Sequence, residues 1–368
     1  MTSDLFMDHG NPLQIDRVRA LDPLLADEPL GRLPELNSRA AVAELTAMLR
    51  ALTPGLDAVA LYSTDECLAV LRDLGMLLGS LKRHDTEPAV VVPEVVPVLQ
   101  ELGRRTGMIP RDTVHHYTTW NPTGERQRTY TGDPQEYVLQ ESVRMVFPQL
   151  RQGLELCDML SRTDPAEQKF AVVLDELTDL MGAMVESIDM VVKEVSPAFF
   201  ARDLRPYYEN VTVGGETYLG PAAAQVPLWL IDLSVWASDH SRPEYQEFLA
   251  HSIPYSLPRW RELYDSWLHS PSIVTRIVAA FGADPAETER SEPHLMESAE
   301  ALLRLLRVIM VFRGRHLGIA RKAYQEDLRL FPVGSGGASV ELLKQILDLT
   351  RDNANLTRGT ADERKAAS

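Results

Sequence analysis

Residues 298–339 read SAEALLRLLRVIMVFRGRHLGIARKAYQEDLRLFPVGSGGAS and join a long helical segment to a glycine-rich turn. Apolar residues recur at helical spacing through its first two thirds, which predicts an amphipathic helix with one buried face. His316 is the only polar member of that face, whereas the basic residues, Arg313 among them, lie largely off it. The face consists of Leu302, Leu305, Ile309, Phe312, His316, Ile319 and Ala323.

A histidine on an apolar face loses its hydration and therefore needs a partner, either a hydrogen-bond acceptor or a metal. Tyr324 follows His316 two turns later, and Pro332 ends the helical pattern before the glycines at 334–337. Glycine backbone approaches ligands closely, so this loop is a candidate binding element. It lacks the Gly-Lys-Ser/Thr ending of a nucleotide-binding loop, and a plain linker to a helix at 340–349 is the alternative.

Composition narrows the class of protein. The chain has 368 residues, 45% of them hydrophobic, and a formal charge of −16, which disfavours nucleic acid as a partner. Cys67 and Cys157 are far apart and form no C-x-x-C spacing, so neither a disulfide scaffold nor a zinc ribbon is indicated. The N-terminus is acidic where a signal peptide is basic, and no apolar run is long enough for a membrane span. We expect a cytoplasmic protein without a membrane partner.

Helical patterns dominate the chain, which predicts an all-α fold. Residues 1–110 comprise an arm, irregular to about residue 37, and a small helical region. Residues 111–352 form the larger helical domain, and residues 353–368 a flexible tail. A long loop is expected at 110–136, and residues 211–218 read as a small hairpin with Gly214-Gly215 at its tip.

Two other groups of residues are candidates for binding a substrate or a metal ion. Arg205 stands among aromatic residues at 199–208, an arrangement suited to a carboxylate and a ring, although local evidence alone favours a surface arginine beside a core aromatic cluster. Two carboxylate–histidine pairs four residues apart, Glu247/His251 and Asp265/His269, are possible non-haem metal ligands or ordinary helix-surface pairs.

Motifs spread along the chain resemble the haem-dependent superfamily of indoleamine and tryptophan dioxygenases, and most closely its monodechloroaminopyrrolnitrin synthase (PrnB) family. They are Gly79-Ser80-Leu81-Lys82-Arg83-His84, Trp120-Asn121-Pro122-Thr123, Tyr130-Thr131-Gly132, Leu204-Arg205-Pro206, Tyr218-Leu219-Gly220-Pro221, His316-Leu317 and Gly334-Ser335-Gly336-Gly337. The resemblance implies a large helical bundle of the indoleamine dioxygenase type, in which residues 111–352 hold a haem pocket.

The resemblance also implies roles for individual residues. His316 matches the proximal histidine that binds the iron of haem b. Arg205 matches the arginine that holds the substrate carboxylate, and Ser335 stands where the dioxygenases carry a threonine near the substrate ammonium group and the haem. Tyr324 matches a residue near the substrate, and Gly334 and Gly336 belong to the loop beside the cofactor. No distal histidine is assigned, although His84, His115 and His116 are candidates.

The implied function is oxidation or rearrangement of the indole ring of L-tryptophan or a halogenated tryptophan in specialised metabolism. Dioxygen or a peroxide is the expected co-substrate, an electron donor is possible, and a monomer is expected. Opening of the indole ring to a formylkynurenine-type product is one alternative. A non-catalytic haem-binding sensor is the other.

Overall fold

A computed structural model describes residues 10–221, 226–281, 293–326 and 338–365. Helices dominate these ranges, which confirms the predicted all-α fold, and strands occur in them only as one hairpin. The α-helices are α1 (Pro12–Ala20), α2 (Asp27–Gly31), α3 (Leu33–Ser38), α4 (Val42–Leu52), α5 (Leu56–Leu61), α6 (Thr64–Arg83), α7 (Pro88–Val91), α8 (Val95–Thr106), α9 (Pro134–Arg162), α10 (Gln168–Glu194), α11 (Leu228–Asp232), α12 (Ser238–His240), α13 (Pro243–Ser252), α14 (Pro258–Trp267), α15 (Ile273–Ala280), α16 (Pro293–Glu326) and α17 (Val340–Lys365).

Short helices of other types interrupt the α-helices. The 3-10 helices are Gly124–Arg126, Arg205–Tyr208 and Ile253–Tyr255, and the π-helices are His115–Thr119, Phe199–Leu204 and Leu233–Ala237. π-Helical turns are rare and occur frequently at functional sites. Two of the three lie next to residues considered below as parts of a site.

The predicted hairpin is present. Strands β1 (Val211–Val213) and β2 (Glu216–Tyr218) pair in antiparallel register, with Val211 opposite Tyr218. Gly214 and Gly215 form the tip with φ of 61° and 91°, a region that side chains disfavour. A Cβ on Gly214 would also collide with the side chain of Gln100.

Three long helices form the centre of the larger core. α9 and α10 are joined by a short turn and run antiparallel, because Ser187 Oγ donates to the Ser142 carbonyl at 2.7 Å while Gln152 contacts Glu176 further along. α10 and α16 run parallel, because Arg304 pairs with Asp175 at 2.8 Å and Arg315 pairs with Asp189 at 2.5 Å. The helix that carries His316 is therefore fixed against α10 over most of its length.

The apolar face predicted for α16 is less buried in the second half of the helix than in the first. Leu302, Leu305 and Ile309 are fully or almost fully buried, as expected. Phe312, His316, Ile319 and Ala323 are only half-buried by the described residues. The second half of the face therefore retains accessible apolar surface around the histidine.

A second core lies in the N-terminal part of the chain and is centred on α6. That helix begins with a capping box, in which Ser63 N donates to Glu66 Oε2 at 2.7 Å and Glu66 N donates to Ser63 Oγ at 3.2 Å. α6 contributes Leu68 and Ala69 to the larger core and its later apolar residues to the N-terminal one. The division at residues 110 and 111 stays a prediction.

The structure differs from the sequence-based prediction at both ends of the described chain. Residues 12–38 form helices α1 to α3 instead of an irregular arm, because Val18, Leu33 and Leu36 are fully buried. The tail expected at 353–368 is helical as far as Lys365, and Ala354 and Thr357 are buried. In both segments, a few apolar or small residues at helical spacing are sufficient to dock a polar stretch. No described helix is long and apolar enough to cross a membrane.

Candidate haem and substrate site

His316 lies in the second half of α16, on the half-buried part of the apolar face. Its ring stacks on Phe312 with centroids 5.7 Å apart and planes at 23°. Burial, followed by the positive charge of Arg313, lowers the pKa of His316 to about 4, so the imidazole is neutral at pH 7. Among the described residues, no hydrogen bond to either ring nitrogen is found. A neutral imidazole with an available nitrogen is the form that binds iron.

A buried ion pair lies one turn before His316. The guanidinium of Arg313 donates to the Asp232 carboxylate and to the Thr350 hydroxyl, and it lies 5.8 Å from the ring centre of Trp236. Asp232 is completely buried and also accepts from Tyr245 Oη at 2.5 Å and from Trp236 Nε1 at 3.1 Å. Residues from α11, α13, α16, α17 and a π-helix therefore meet at one ion pair.

The sequence interpretation missed this pair. It placed Arg313 off the buried face of α16, whereas Arg313 is only 7% exposed. One signal was available in the sequence. Asp232 is the only charged residue in the apolar run 228–237, and a buried carboxylate needs a cationic or hydrogen-bonding partner. The identity of the partner depends on tertiary packing that the sequence pattern does not contain.

Arg205 begins the 3-10 helix Arg205–Tyr208, directly after the π-helix Phe199–Leu204. Its side chain is 12% exposed, and Nη1 lies 3.4 Å from Glu209 Oε1. The π-helix packs against α16, so the segment that leads into Arg205 contacts the helix of His316. The predicted carboxylate-binding residue thus directly follows an element that contacts the helix of the predicted iron ligand.

A cluster of buried tyrosines supports the Arg205 segment. Tyr207 stacks on Tyr130 at a centroid distance of 4.4 Å, and Tyr117 donates to Glu136 Oε1 at 2.6 Å. Burial raises the pKa of Tyr207 to about 12 and raises that of Glu136 above its ordinary value. These groups form a packed platform beneath the Arg205 segment.

The motif at 79–84 packs against the same platform. A Cβ on Gly79 would lie 2.5 Å from Tyr130 Oη and 2.8 Å from the Tyr207 carbonyl oxygen, so α6 can approach only with glycine there. The guanidinium of Arg83 lies 5.9 Å from the Tyr207 ring centre. The motifs at 79–84 and at 204–206 are therefore adjacent in the fold.

The three candidates for a distal histidine lie in different environments. His115 and His116 are buried in a π-helix that packs mainly against α6 and α9, and His116 Nδ1 accepts from Thr113 N at 3.0 Å. His84 follows the last residue of α6, and burial, then the charge of Arg83, lowers its pKa. None of these observations identifies a distal residue, and that position stays unassigned.

The remaining predicted site residues lie at or beyond the end of α16. Tyr324 is 42% exposed and stands two turns after His316 on the same helix. Gly334, Ser335 and Gly336 lie outside the described residues. Their roles, like those of His316, Arg205 and Tyr324, stay predictions.

The alternative non-haem metal pairs are exposed. Glu247, His251, Asp265 and His269 all lie on the solvent side of α13 or near α14. Within the described ranges, no group of three or more His, Cys, Asp or Glu side chains is arranged to hold a metal ion. The exposed pairs therefore resemble helix-surface pairs.

The residues around His316 fit haem better than the exposed carboxylate–histidine pairs fit a metal ion. The imidazole is neutral, its face of α16 is apolar and half-buried, and Phe312 provides an aromatic surface beside it. Comparison with known families gives one finding: a family model described as "Monodechloroaminopyrrolnitrin synthase PrnB" matches residues 46–366. The match covers nearly the whole chain, including Arg205 and His316.

Proposed function

Because the chain belongs to the monodechloroaminopyrrolnitrin synthase PrnB family, we propose that it is a haem-dependent oxidoreductase acting on L-tryptophan or a halogenated tryptophan. The reaction is oxidation or rearrangement of the indole ring in a pathway of the pyrrolnitrin type. The observation that supports this proposal best is the neutral, half-buried imidazole of His316 on an apolar helix face.

In this proposal His316 would hold the haem iron, and Gly334 and Gly336 would also contribute to cofactor binding. Haem b, when bound, would supply a redox-active iron for chemistry with dioxygen or a peroxide. The low pKa of His316 matters because a protonated imidazole has no lone pair for a metal. The ligand therefore stays competent across the physiological pH range.

Arg205 holds the carboxylate of the amino acid. A guanidinium matches a carboxylate with two parallel hydrogen bonds, and its partial burial strengthens them by excluding water. The tyrosine platform under residues 205–208 limits the freedom of the segment, which orients the substrate before reaction. Ser335 contacts the ammonium group, and Tyr324 borders the pocket.

The cellular setting is also part of the proposal. Cys67 and Cys157 are both free thiols buried in the structure, which suits a reducing cytoplasm. We infer a monomer that takes a small amino-acid substrate and receives electrons from a donor.

The first experiment is the visible spectrum of the protein supplied with haem, in ferric and ferrous forms, with and without L-tryptophan or a halogenated tryptophan. A Soret band that shifts on addition of the amino acid supports a pocket beside the iron. A haem band that ignores every amino acid favours the sensor alternative, and the lack of a haem band contradicts the cofactor assignment.

Product mass then separates the two enzymatic reactions. Ring opening adds two oxygen atoms and retains the carboxyl group, whereas rearrangement to an aminophenyl-pyrrole removes that group. A product that retains the carboxyl group and gains two oxygens would favour the dioxygenase alternative.

A further inference from the structure

We propose that the buried Arg313–Asp232 ion pair is a positioning pair for His316, which holds α16 in the rotation that presents the imidazole to the haem iron. This inference rests on the proposed role of His316 as the iron ligand. It concerns residues that carry no part of the proposed chemistry themselves.

Helix geometry connects the two positions. Residues three apart are separated by about 60° around the helix axis and about 4.5 Å along it. Arg313 is fixed by Asp232 and Thr350, which lie on different helices, and Leu317, the residue after His316, is also buried. α16 could rotate about its axis, and so displace the imidazole, only if these contacts were broken.

The energy of the pair does not by itself account for its presence. Removing two charges from water is costly, and apolar replacements of buried ion pairs are often as stable or more stable. The pair does fix the orientation of the Arg313 side chain, because Asp232 accepts from Tyr245, Trp236 and Arg313 at once. Such a fully hydrogen-bonded carboxylate admits one orientation of the arginine, and hence of the helix turn that carries it.

The pair also places two opposite charges near the ligand. Arg313 lies three residues before His316 on α16, so its charge lies within one helical turn of the residue that carries the imidazole. Loss of Arg313 alone would leave the negative charge of Asp232, and loss of Asp232 alone would leave the positive charge of Arg313. The two single variants should therefore change the haem reduction potential in opposite directions.

The experiment compares Arg313→Met, Asp232→Asn and the double variant in the full-length protein by haem titration, redox titration and circular dichroism. We expect haem binding about 10- to 100-fold weaker in all three, as is typical when groups that orient a metal ligand are removed. The potential should fall in Arg313→Met and rise in Asp232→Asn, because negative charge stabilises ferric iron. The double variant leaves no unpaired buried charge, so it carries the test if either single variant fails to fold.

Tyr245→Phe is the matched control, because it removes a hydrogen bond from the same carboxylate without touching α16. Because the contacts of Arg313 remain, it should weaken haem binding and shift the potential much less than Arg313→Met does. Equal losses in Tyr245→Phe and Arg313→Met, or a double variant that binds haem like the wild type, would overturn the positioning role. A His316→Ala protein that keeps its histidine-ligated spectrum would instead refute the proposed function.

Discussion

The rings of Tyr130 and Tyr207 stack at a centroid distance of 4.4 Å with planes 15° apart. Tyr207 lies two residues after Arg205, and Tyr130 is the last of three buried residues at 128–130. This contact therefore connects the candidate substrate arginine to the N-terminal core. Gly79 of α6 closes the contact from the other side.

The first prediction concerns that close approach. Gly79→Ala should destabilise the protein by about 1–3 kcal/mol, because the added methyl group overlaps Tyr130 Oη and the Tyr207 carbonyl. Displacement of the segment should also weaken tryptophan binding. Denaturant unfolding and a binding titration measure the two effects.

Gly182→Ala is the matched control for this substitution. Gly182 lies inside α10, and a Cβ there meets nothing within 4 Å. Alanine should stabilise that helix by about 0.5–1 kcal/mol relative to glycine. Similar effects of the two substitutions would show that the approach at Gly79 is not tight.

The second prediction concerns the iron ligand. His316→Ala should abolish the histidine-ligated haem spectrum while the helical content, measured by circular dichroism, remains. The control is His294→Ala, which removes an exposed histidine of the same helix that pairs with Glu297 at 3.0 Å. Loss of the spectrum in His294→Ala would indicate that α16, rather than one imidazole, had been damaged.

The third prediction concerns the substrate carboxylate. Arg205→Leu should keep haem and weaken amino-acid binding by about 2 kcal/mol or more, because the carboxylate would lose a charge-assisted partner in a partly dry site. Arg202→Leu, an exposed neighbour on the preceding π-helix, should have little effect. Unchanged affinity in Arg205→Leu would place the carboxylate elsewhere.

The fourth prediction concerns acid stability. Asp27 pairs with Arg126 at 2.6 Å and with Arg128 at 2.5 Å. Burial alone would raise the pKa of Asp27, but these arginine contacts outweigh it and lower the pKa. The folded protein therefore holds the carboxylate ionised at pH values where the unfolded chain protonates it.

Stability from Asp27 is consequently present above its ordinary pKa of 3.8 and is lost as the pH falls through the lower folded value. Asp27→Asn should be less stable than the wild type at neutral pH, and the difference should shrink as the pH falls below about 4. Urea unfolding at several pH values measures it. A difference that stays constant with pH would rule out a charge effect.

The sequence was most informative where one periodic pattern is long. The apolar face of α16, the small hairpin and the all-α class follow from local spacing and turn residues alone. α1 to α3 were not foreseen, because their few buried residues, such as Val18 and Leu33, stand among polar ones and a proline. Burial of so short a segment is decided by the surface it docks against.

In the candidate site, too, some residues could be predicted from the sequence and others could not. His316 and Arg205 are noticeable in the sequence, the one as a polar residue on an apolar face and the other as a charge among aromatics. Asp232 and Arg313 are 81 residues apart, and no local pattern pairs them. Contacts of this kind depend on the packing of several helices at once, which single-sequence reasoning does not provide.

The parallel arrangement of α10 and α16 has a consequence for how the protein folds. Two parallel helices cannot be neighbours in a simple hairpin, so the chain between residues 194 and 293 must first return to the starting end. The ion pairs between the two helices join residues 126 and 129 positions apart, and such distant contacts form slowly and late. During synthesis the histidine of α16 emerges after α9 and α10, and only α17 among the long helices that pack there is made later. Under the proposed function, haem should therefore bind in one of the last steps of biogenesis, after the scaffold has assembled.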